Sequence, residues 1–328
     1  MDAYDRKPPA GLISVTNLSS RVLVPSQIYD EGMEEWGKAS GNHIYLVAIG
    51  PRVNVVSALK DTDGWRIDTE YYKDGWRPRT VRLPAPAFRS INVSVSDGVL
   101  VHLGDDGEER YTAVQLARKA LDLARDDSSL QAQSWMKHTI DKFFDYTVVY
   151  IGQAYGRDVR KSAVKRLTDG HADLQKALAA VNDHHRNSDI GVVLMDTHVQ
   201  GRELFGSIGQ DGNEELARLA ANLMTAPDGP LEDKALLIDA AEAMLIRYIQ
   251  PKMNEKLREF PLKDRPGLVN PLLAAGITHL GVQIDLTASD VVLHDPIAGT
   301  SNSRHRFAVN LSTGERDVAG DSPLAWRM

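Results

Sequence analysis

The spacing of apolar residues changes partway along the chain, and this change limits the folds that are open to it. From residue 11 to residue 103, short runs of β-branched and aromatic residues alternate with turn signals. After Tyr111, apolar residues recur every three or four positions, which is the period of a helix that packs on one side. The sequence therefore predicts a β-rich N-terminal region followed by a region that mixes helices and strands.

Four dipeptides divide the β-rich region into predicted hairpins: Gly50-Pro51, Asp63-Gly64, Asp74-Gly75 and Asp97-Gly98. Each of these pairs accepts the backbone angles of a tight turn. The pattern is typical of successive antiparallel strands.

The second region predicts a strand over 146–152, a helix over 162–182, a strand over 190–195 and a long helix over 232–249. β-like runs return after residue 265. The predicted fold class is α+β, with three parts. These are a β-rich N-terminal domain (1–125), a small sheet flanked by helices (126–262) with an acidic insertion at about 197–233, and a β-containing C-terminal extension (263–328).

Composition narrows the chemistry of any site. The 328 residues include no Cys, which excludes disulfides, thiolate nucleophiles and zinc sites built on sulfur. A metal would have to bind oxygen or imidazole ligands, which favours a hard divalent cation. The N-terminus lacks the order of a signal peptide, and polar residues interrupt the most apolar stretch at 268–284, so we expect a cytoplasmic protein that does not span a membrane.

The charge of the chain is unevenly distributed. The formal net charge is -7, which argues against a simple basic nucleic-acid binder. Residues 203–242 alone sum to -7, whereas residues 157–166 sum to +4. The basic cluster is therefore available for contact with a phosphate backbone.

Three side chains have unusual positions in the predicted elements. Tyr146 and Tyr150 fall on the same face of a regularly alternating strand. Glu242 projects from the apolar arc of the long helix, so it pairs with a cation such as Arg166, reaches solvent at the edge of the arc, or binds a metal. His171 fills a gap in the apolar stripe of the preceding helix, where a core histidine is the simpler interpretation.

Taken in order, several motifs resemble the GIY-YIG nuclease superfamily. They are Tyr150-Ile151-Gly152-Gln153, then Arg166 and His171, then Glu242 followed by Leu245-Ile246, Pro251 and Asn254. The resemblance covers about residues 145–260. It departs from the family in the Arg-to-His spacing of five residues and in an insertion before the Glu helix. The first signature strand has no match, so Tyr146, or an earlier strand such as 98–103, would have to replace it.

The resemblance implies hydrolysis of phosphodiester bonds in DNA with one divalent cation, Mg²⁺ or Mn²⁺. Glu242 would hold the metal, and Arg166 would neutralise charge on the phosphoryl oxygens. Tyr150, with Tyr146, would orient or activate water, and His171 would assist proton transfer. The predicted substrate-binding residues are Arg157, Arg160, Lys161, Lys165 and Asn254, the last of which would bond the phosphate or fix the site.

Two other hypotheses remain open from the sequence. The first is a catalytically degenerate GIY-YIG-like scaffold that binds nucleic acid or a protein partner, since the first motif is missing. The second is an unrelated fold with a chance match to the motifs.

Overall fold

The computed structural model describes residues 10–23, 42–61, 64–72, 76–84, 92–96, 99–104, 107–111, 143–153, 172–184, 188–205, 234–261, 266–274, 277–295 and 299–318, with isolated positions between 115 and 139. Within these ranges the protein is strand-rich and mixed α/β, with a sheet at its core. No helix in the same ranges is long and apolar enough to cross a membrane.

The strands are β1 Ala10–Leu23, β2 Asn42–Pro51, β3 Val53–Asp61, β4 Gly64–Tyr72, β5 Trp76–Pro84, β6 Asn92–Ser96, β7 Val99–Gly104, β8 Gly107–Tyr111, β9 Asp145–Gln153, β10 Ser188–Phe205, β11 Ile277–Asp285, β12 Val292–Asp295, β13 Thr300–Asn302, β14 Arg304–Asn310 and β15 Arg316–Val318. The helices are α1 Ala172–His184, α2 Lys234–Ile249 and α3 Pro266–Ala274, with a 3-10 turn at Thr287–Ser289. The long helix predicted at 232–249 and the strand predicted at 146–152 are confirmed.

Nine strands form the central sheet, in the order β13-β12-β9-β2-β10-β1-β11-β14-β15. Most neighbouring strands are antiparallel, while β12 with β9 and β1 with β11 are parallel. The sheet takes strands from each of the three predicted parts of the chain and so crosses both predicted boundaries. The small sheet expected within 126–262 is therefore part of a larger one, because a turn signal fixes local hairpins and not the pairing of distant strands.

Two smaller antiparallel sheets, β3-β4-β5 and β6-β7-β8, lie between β2 and β9 in the chain. Antiparallel pairs flank three of the predicted turn dipeptides, Asp63-Gly64, Asp74-Gly75 and Asp97-Gly98. The last two lie between the paired residues Tyr72 and Trp76 and between Ser96 and Val99. Val55 and Ile67 of the first small sheet are buried in the main core. These three predicted hairpins are confirmed, and apolar packing joins the small sheets to the central sheet.

Helix α2 is enclosed by the central sheet. Its residues from Ala240 to Ile246 are all buried, which is typical of a helix in the interior of a protein. Tyr248 near its end donates a hydrogen bond to Asp295 of β12 and stacks on Phe307 of β14, with ring centroids 4.1 Å apart. Because β12 and β14 lie towards opposite ends of the sheet, the sheet must curl around the helix.

The other face of the sheet carries α1. Alternate residues of β2 divide between the two faces, since Ile44 and Leu46 belong to the same buried cluster as α2. Tyr45 and Val47 belong to a second cluster with Ala177 of α1. Helices α1 and α2 therefore cover opposite faces of β2.

Two predictions about loops were wrong. Gly50-Pro51 is not a turn, because both residues continue β2 and Gly50 lies beside the ring of Tyr146. The acidic insertion expected from about residue 197 begins inside β10, since residues up to Phe205 pair with β1. Pairing with a neighbouring strand decides the conformation here in spite of the polar composition. The rest of the predicted insertion, 206–233, lies outside the described residues.

Replacing Gly50 by alanine tests the close packing on Tyr146. A Cβ atom at Gly50 would lie 2.7 Å from Cε1 of that buried ring, so we expect Gly50→Ala to lower the free energy of unfolding by about 1–3 kcal/mol. Urea unfolding measures this change.

Gly267→Ala is the matched control, since nothing lies within 4 Å of a Cβ atom there. In helix α3 this substitution should be neutral or stabilise the protein by up to about 1 kcal/mol. Equal unfolding midpoints for the two variants would contradict the packing described here.

Candidate functional site

The strand that carries Tyr150-Ile151-Gly152 pairs with β2, a strand that none of the sequence motifs marked. The two strands are antiparallel, with Tyr45 opposite Gly152 and Ile44 opposite Gln153. The partner segment reads His43-Ile44-Tyr45. Two replacements for the first signature strand were expected, Tyr146 or residues 98–103, and the strand beside the YIG motif is neither of them. Residues 52–144 separate the two paired strands in the sequence.

Two tyrosine rings meet at this pairing. The ring centroids of Tyr45 and Tyr150 are 6.1 Å apart and the planes are inclined by 40°. Tyr45 is fully buried, whereas Tyr150 is half-buried. A Cβ atom on Gly152 would lie 2.5 Å from the hydroxyl oxygen of Tyr45, so this position requires glycine. The glycine of the motif therefore makes room for the second tyrosine.

The two tyrosines of β9 do not share a face. The pairing of β9 with β2 shifts between Val47 and Ala48, which leaves Val149 as an extra residue. Such a bulge reverses the alternation of side chains. Tyr146 is consequently buried in the cluster with α2, while Tyr150 packs on the α1 side. The expectation from regular alternation was wrong because the bulge leaves no signal in residue types.

Tyr146 has the surroundings of a core residue. Its ring lies against Gly50 and Gly191, and only 5% of the residue is exposed. Burial raises the pKa of Tyr146 to about 12, Arg118 opposes this increase and the Asp189 carboxylate adds to it. A phenol with so high a pKa is a poor general base near neutral pH, so these surroundings favour a structural role.

Glu242 lies on α2 and is 8% exposed. Its helix packs on the face of the sheet opposite to Tyr150. A single carboxylate is a suitable donor for Mg²⁺, which commonly keeps several waters and takes its other ligands from substrate phosphates. Among the described residues, no group of three carboxylate or imidazole side chains could hold a metal ion.

Asn254 is hydrogen-bonded to the backbone of the YIG strand. Its amide nitrogen donates to the carbonyl oxygen of Ile151, and the Ile151 N–H donates to the amide oxygen, each at 2.8 Å. Asn254 was expected either to bond the phosphate or to fix the site. These two hydrogen bonds favour the second role.

Six predicted site residues lie outside the described ranges. They are Arg157, Arg160, Lys161, Lys165, Arg166 and His171. Their roles therefore stay predictions. Tyr45, which contacts Tyr150, was not predicted as part of this candidate site. Its signal in the sequence was the triplet His43-Ile44-Tyr45, which lies in a strand whose alternating pattern resembles that of many other strands.

Comparisons of the whole chain with protein families, with curated proteins and with solved structures each gave no match.

Replacing Tyr146 by phenylalanine tests its raised pKa. An unfolded tyrosine loses its proton near pH 10, whereas the folded one keeps it until about pH 12. Between these two pH values the unfolded state binds fewer protons than the folded state. Because of Tyr146, the free energy of unfolding therefore falls by about 1.4 kcal/mol for each unit by which the pH rises, and this effect is absent well below pH 10.

Urea unfolding of the wild type and of Tyr146→Phe at pH 9, 10 and 11 measures this contribution. The stability of the wild type relative to the variant should fall by about 1 kcal/mol between pH 10 and 11, and by about a third of that between pH 9 and 10, where the unfolded tyrosine begins to ionise. A difference that does not depend on pH would show that Tyr146 titrates normally.

Proposed function

We propose that the protein is a metal-dependent endonuclease that hydrolyses phosphodiester bonds of DNA at a GIY-YIG-like site. One observation carries the proposal. The strand with His43-Ile44-Tyr45 lies antiparallel to the strand with Tyr150-Ile151-Gly152, and the two tyrosine rings are in contact. This pairing supplies a partner for the second signature strand, which the sequence alone lacked.

The surrounding architecture supports the same proposal. Strands β9, β2 and β10 are consecutive antiparallel neighbours, with α1 on one face and α2 on the other. We propose that these three strands and two helices correspond to the small GIY-YIG-like sheet, with β2 supplied from outside residues 126–262. Asn254 joins the end of the Glu242 helix to the YIG strand, so the motifs at 150–152 and 242–254 belong to one structural unit.

The proposed roles follow the chemistry of the side chains. Glu242 would hold a Mg²⁺ or Mn²⁺ ion, which when bound polarises the scissile phosphate. Tyr150, half-buried beside Tyr45, would orient the attacking water. Arg166 would neutralise charge on the phosphoryl oxygens, His171 would assist proton transfer, and the basic residues of 157–165 would contact the phosphate backbone. We also propose that the protein acts in the cytoplasm.

A second candidate function rests on a different observation. Tyr150 and the Glu242 helix lie on opposite faces of the sheet, and Tyr45 is fully buried. Catalysis needs reacting groups held about 3 Å apart, and this arrangement favours a degenerate scaffold that binds nucleic acid or a protein partner.

Cleavage assays separate the two functions. The purified protein is incubated with duplex, branched and single-stranded DNA and with RNA, each in Mg²⁺, in Mn²⁺ and in EDTA. The nuclease proposal expects metal-dependent cleavage that Glu242→Gln and Tyr150→Phe each lower by about 100-fold or more, because each would remove several kcal/mol of transition-state stabilisation.

Glu255→Gln is the matched control, since it makes the same substitution at an exposed carboxylate 13 positions after Glu242. This variant should cleave DNA like the wild type. Absence of cleavage on every substrate, together with binding of DNA that weakens steeply with salt, would favour the scaffold. Cleavage that Glu242→Gln leaves unchanged would contradict the proposed site.

A further inference from the structure

The chain turns sharply after α2 and runs back along β9. We refer to residues 250–258 as the clip. Gln250 and Leu257, near its two ends, have φ angles of 54° and 69°. Residues other than glycine rarely adopt this left-handed region, and they persist there only when the surrounding structure holds them. The path of the clip is therefore imposed by its contacts.

The clip takes the place of a strand beside β9. Strand β12 pairs with β9 only at Asp145 and Tyr146. Further along the same strand, the Met253 N–H donates to the Val149 carbonyl at 3.0 Å, and the side-chain amide of Asn254 bonds both the N–H and the carbonyl of Ile151. The residues on both sides of Tyr150 are thus hydrogen-bonded to the clip.

One of these bonds is made by the bulge itself. Val149 is the extra residue of β9, and its carbonyl is the group that accepts from Met253. Return of β9 to regular alternation would move Tyr150 from the α1 face to the α2 face, because a shift of one residue reverses every side chain beyond it. Holding Val149 and Ile151 therefore fixes the direction of the Tyr150 ring.

Arg258 gives the clip its shape. Its guanidinium donates to three carbonyl oxygens, those of Pro251, Lys252 and Asn254. Its own carbonyl accepts from the Arg247 and Gln250 side chains at 2.8 and 3.0 Å. A planar guanidinium can bond several carbonyls at fixed angles, whereas a lysine ammonium cannot hold the same geometry.

We propose that Asn254 and Arg258 are positioning residues for Tyr150. The clip stabilises the bulge at Val149, directs the Tyr150 ring toward Tyr45, and fixes β9 relative to the helix that carries Glu242. The proposed orientation of Tyr150 does not depend on the nuclease function. Its effect on catalysis rests on that proposed function.

Fluorine NMR of the full chain tests the orientation directly, with 3-fluorotyrosine placed at position 150. Asn254→Asp keeps the shape of the side chain but replaces the donor to the Ile151 carbonyl by an oxygen. We expect a displaced or doubled fluorine resonance in this variant. Glu255→Gln, the reverse exchange at the next and exposed position, should leave the resonance unchanged.

Arg258→Lys provides an independent test, which also serves if Asn254→Asp does not fold. It keeps the positive charge and loses the bonds to three carbonyls, so the resonance of residue 150 should shift here as well. Circular dichroism establishes that each variant is folded. A folded variant whose Tyr150 resonance matches that of the wild type overturns the proposal.

The same variants separate this proposal from the nuclease function. The fluorine measurement uses no DNA, so it reads the orientation of Tyr150 even in a protein that cleaves nothing, and Glu242→Gln should leave that resonance in place. If the wild type cleaves DNA, Arg258→Lys should lower kcat by about 10- to 100-fold and change KM little, because a displaced catalytic group slows the chemical step more than substrate binding. A rise in KM at constant kcat would contradict positioning of Tyr150.

Discussion

Burial of helix α2 is the constraint on which the rest of the structure depends. The helix is apolar on nearly every side, so no single layer of structure can remove it from water. The central sheet covers it by curling until strands near both ends, β12 and β14, reach the same tyrosine, Tyr248. A sheet of that extent needs strands from all parts of the chain, and this explains why β1, β2 and the C-terminal strands join one sheet.

The same helix links the parts of the candidate site. Glu242 lies in its middle, and the chain that leaves its C-terminal end is hydrogen-bonded beside Tyr150. On the other face of the sheet, Tyr45 and Gly152 fit together, since a methyl group on the glycine would overlap the tyrosine. The candidate site therefore consists of a helix and two strands that are held together by close packing and by a few backbone hydrogen bonds.

Much of the local structure was predictable from residue types. Alternating β-branched residues marked β2 and β9, and Asp-Gly pairs marked the hairpins of the two small sheets, because these signals act within a few residues. The pairing of β2 with β9 was not predictable, since residues 52–144 intervene and many strands have the same alternating pattern. Tyr45 was missed for this reason.

The sequence by itself determined the position of the helix at 234–249, the strand at 145–153, the hairpins, and the order of the YIG, Glu and Asn motifs. Only the tertiary structure decided which strand lies beside Tyr150 and which face its ring occupies. The first depends on the enclosure of α2, which brings distant strands together. The second depends on one extra residue, Val149, held by a hydrogen bond from Met253. Residue types encode local periods, whereas a bulge and a long-range pairing arise from the balance of packing and hydrogen bonds in the assembled sheet.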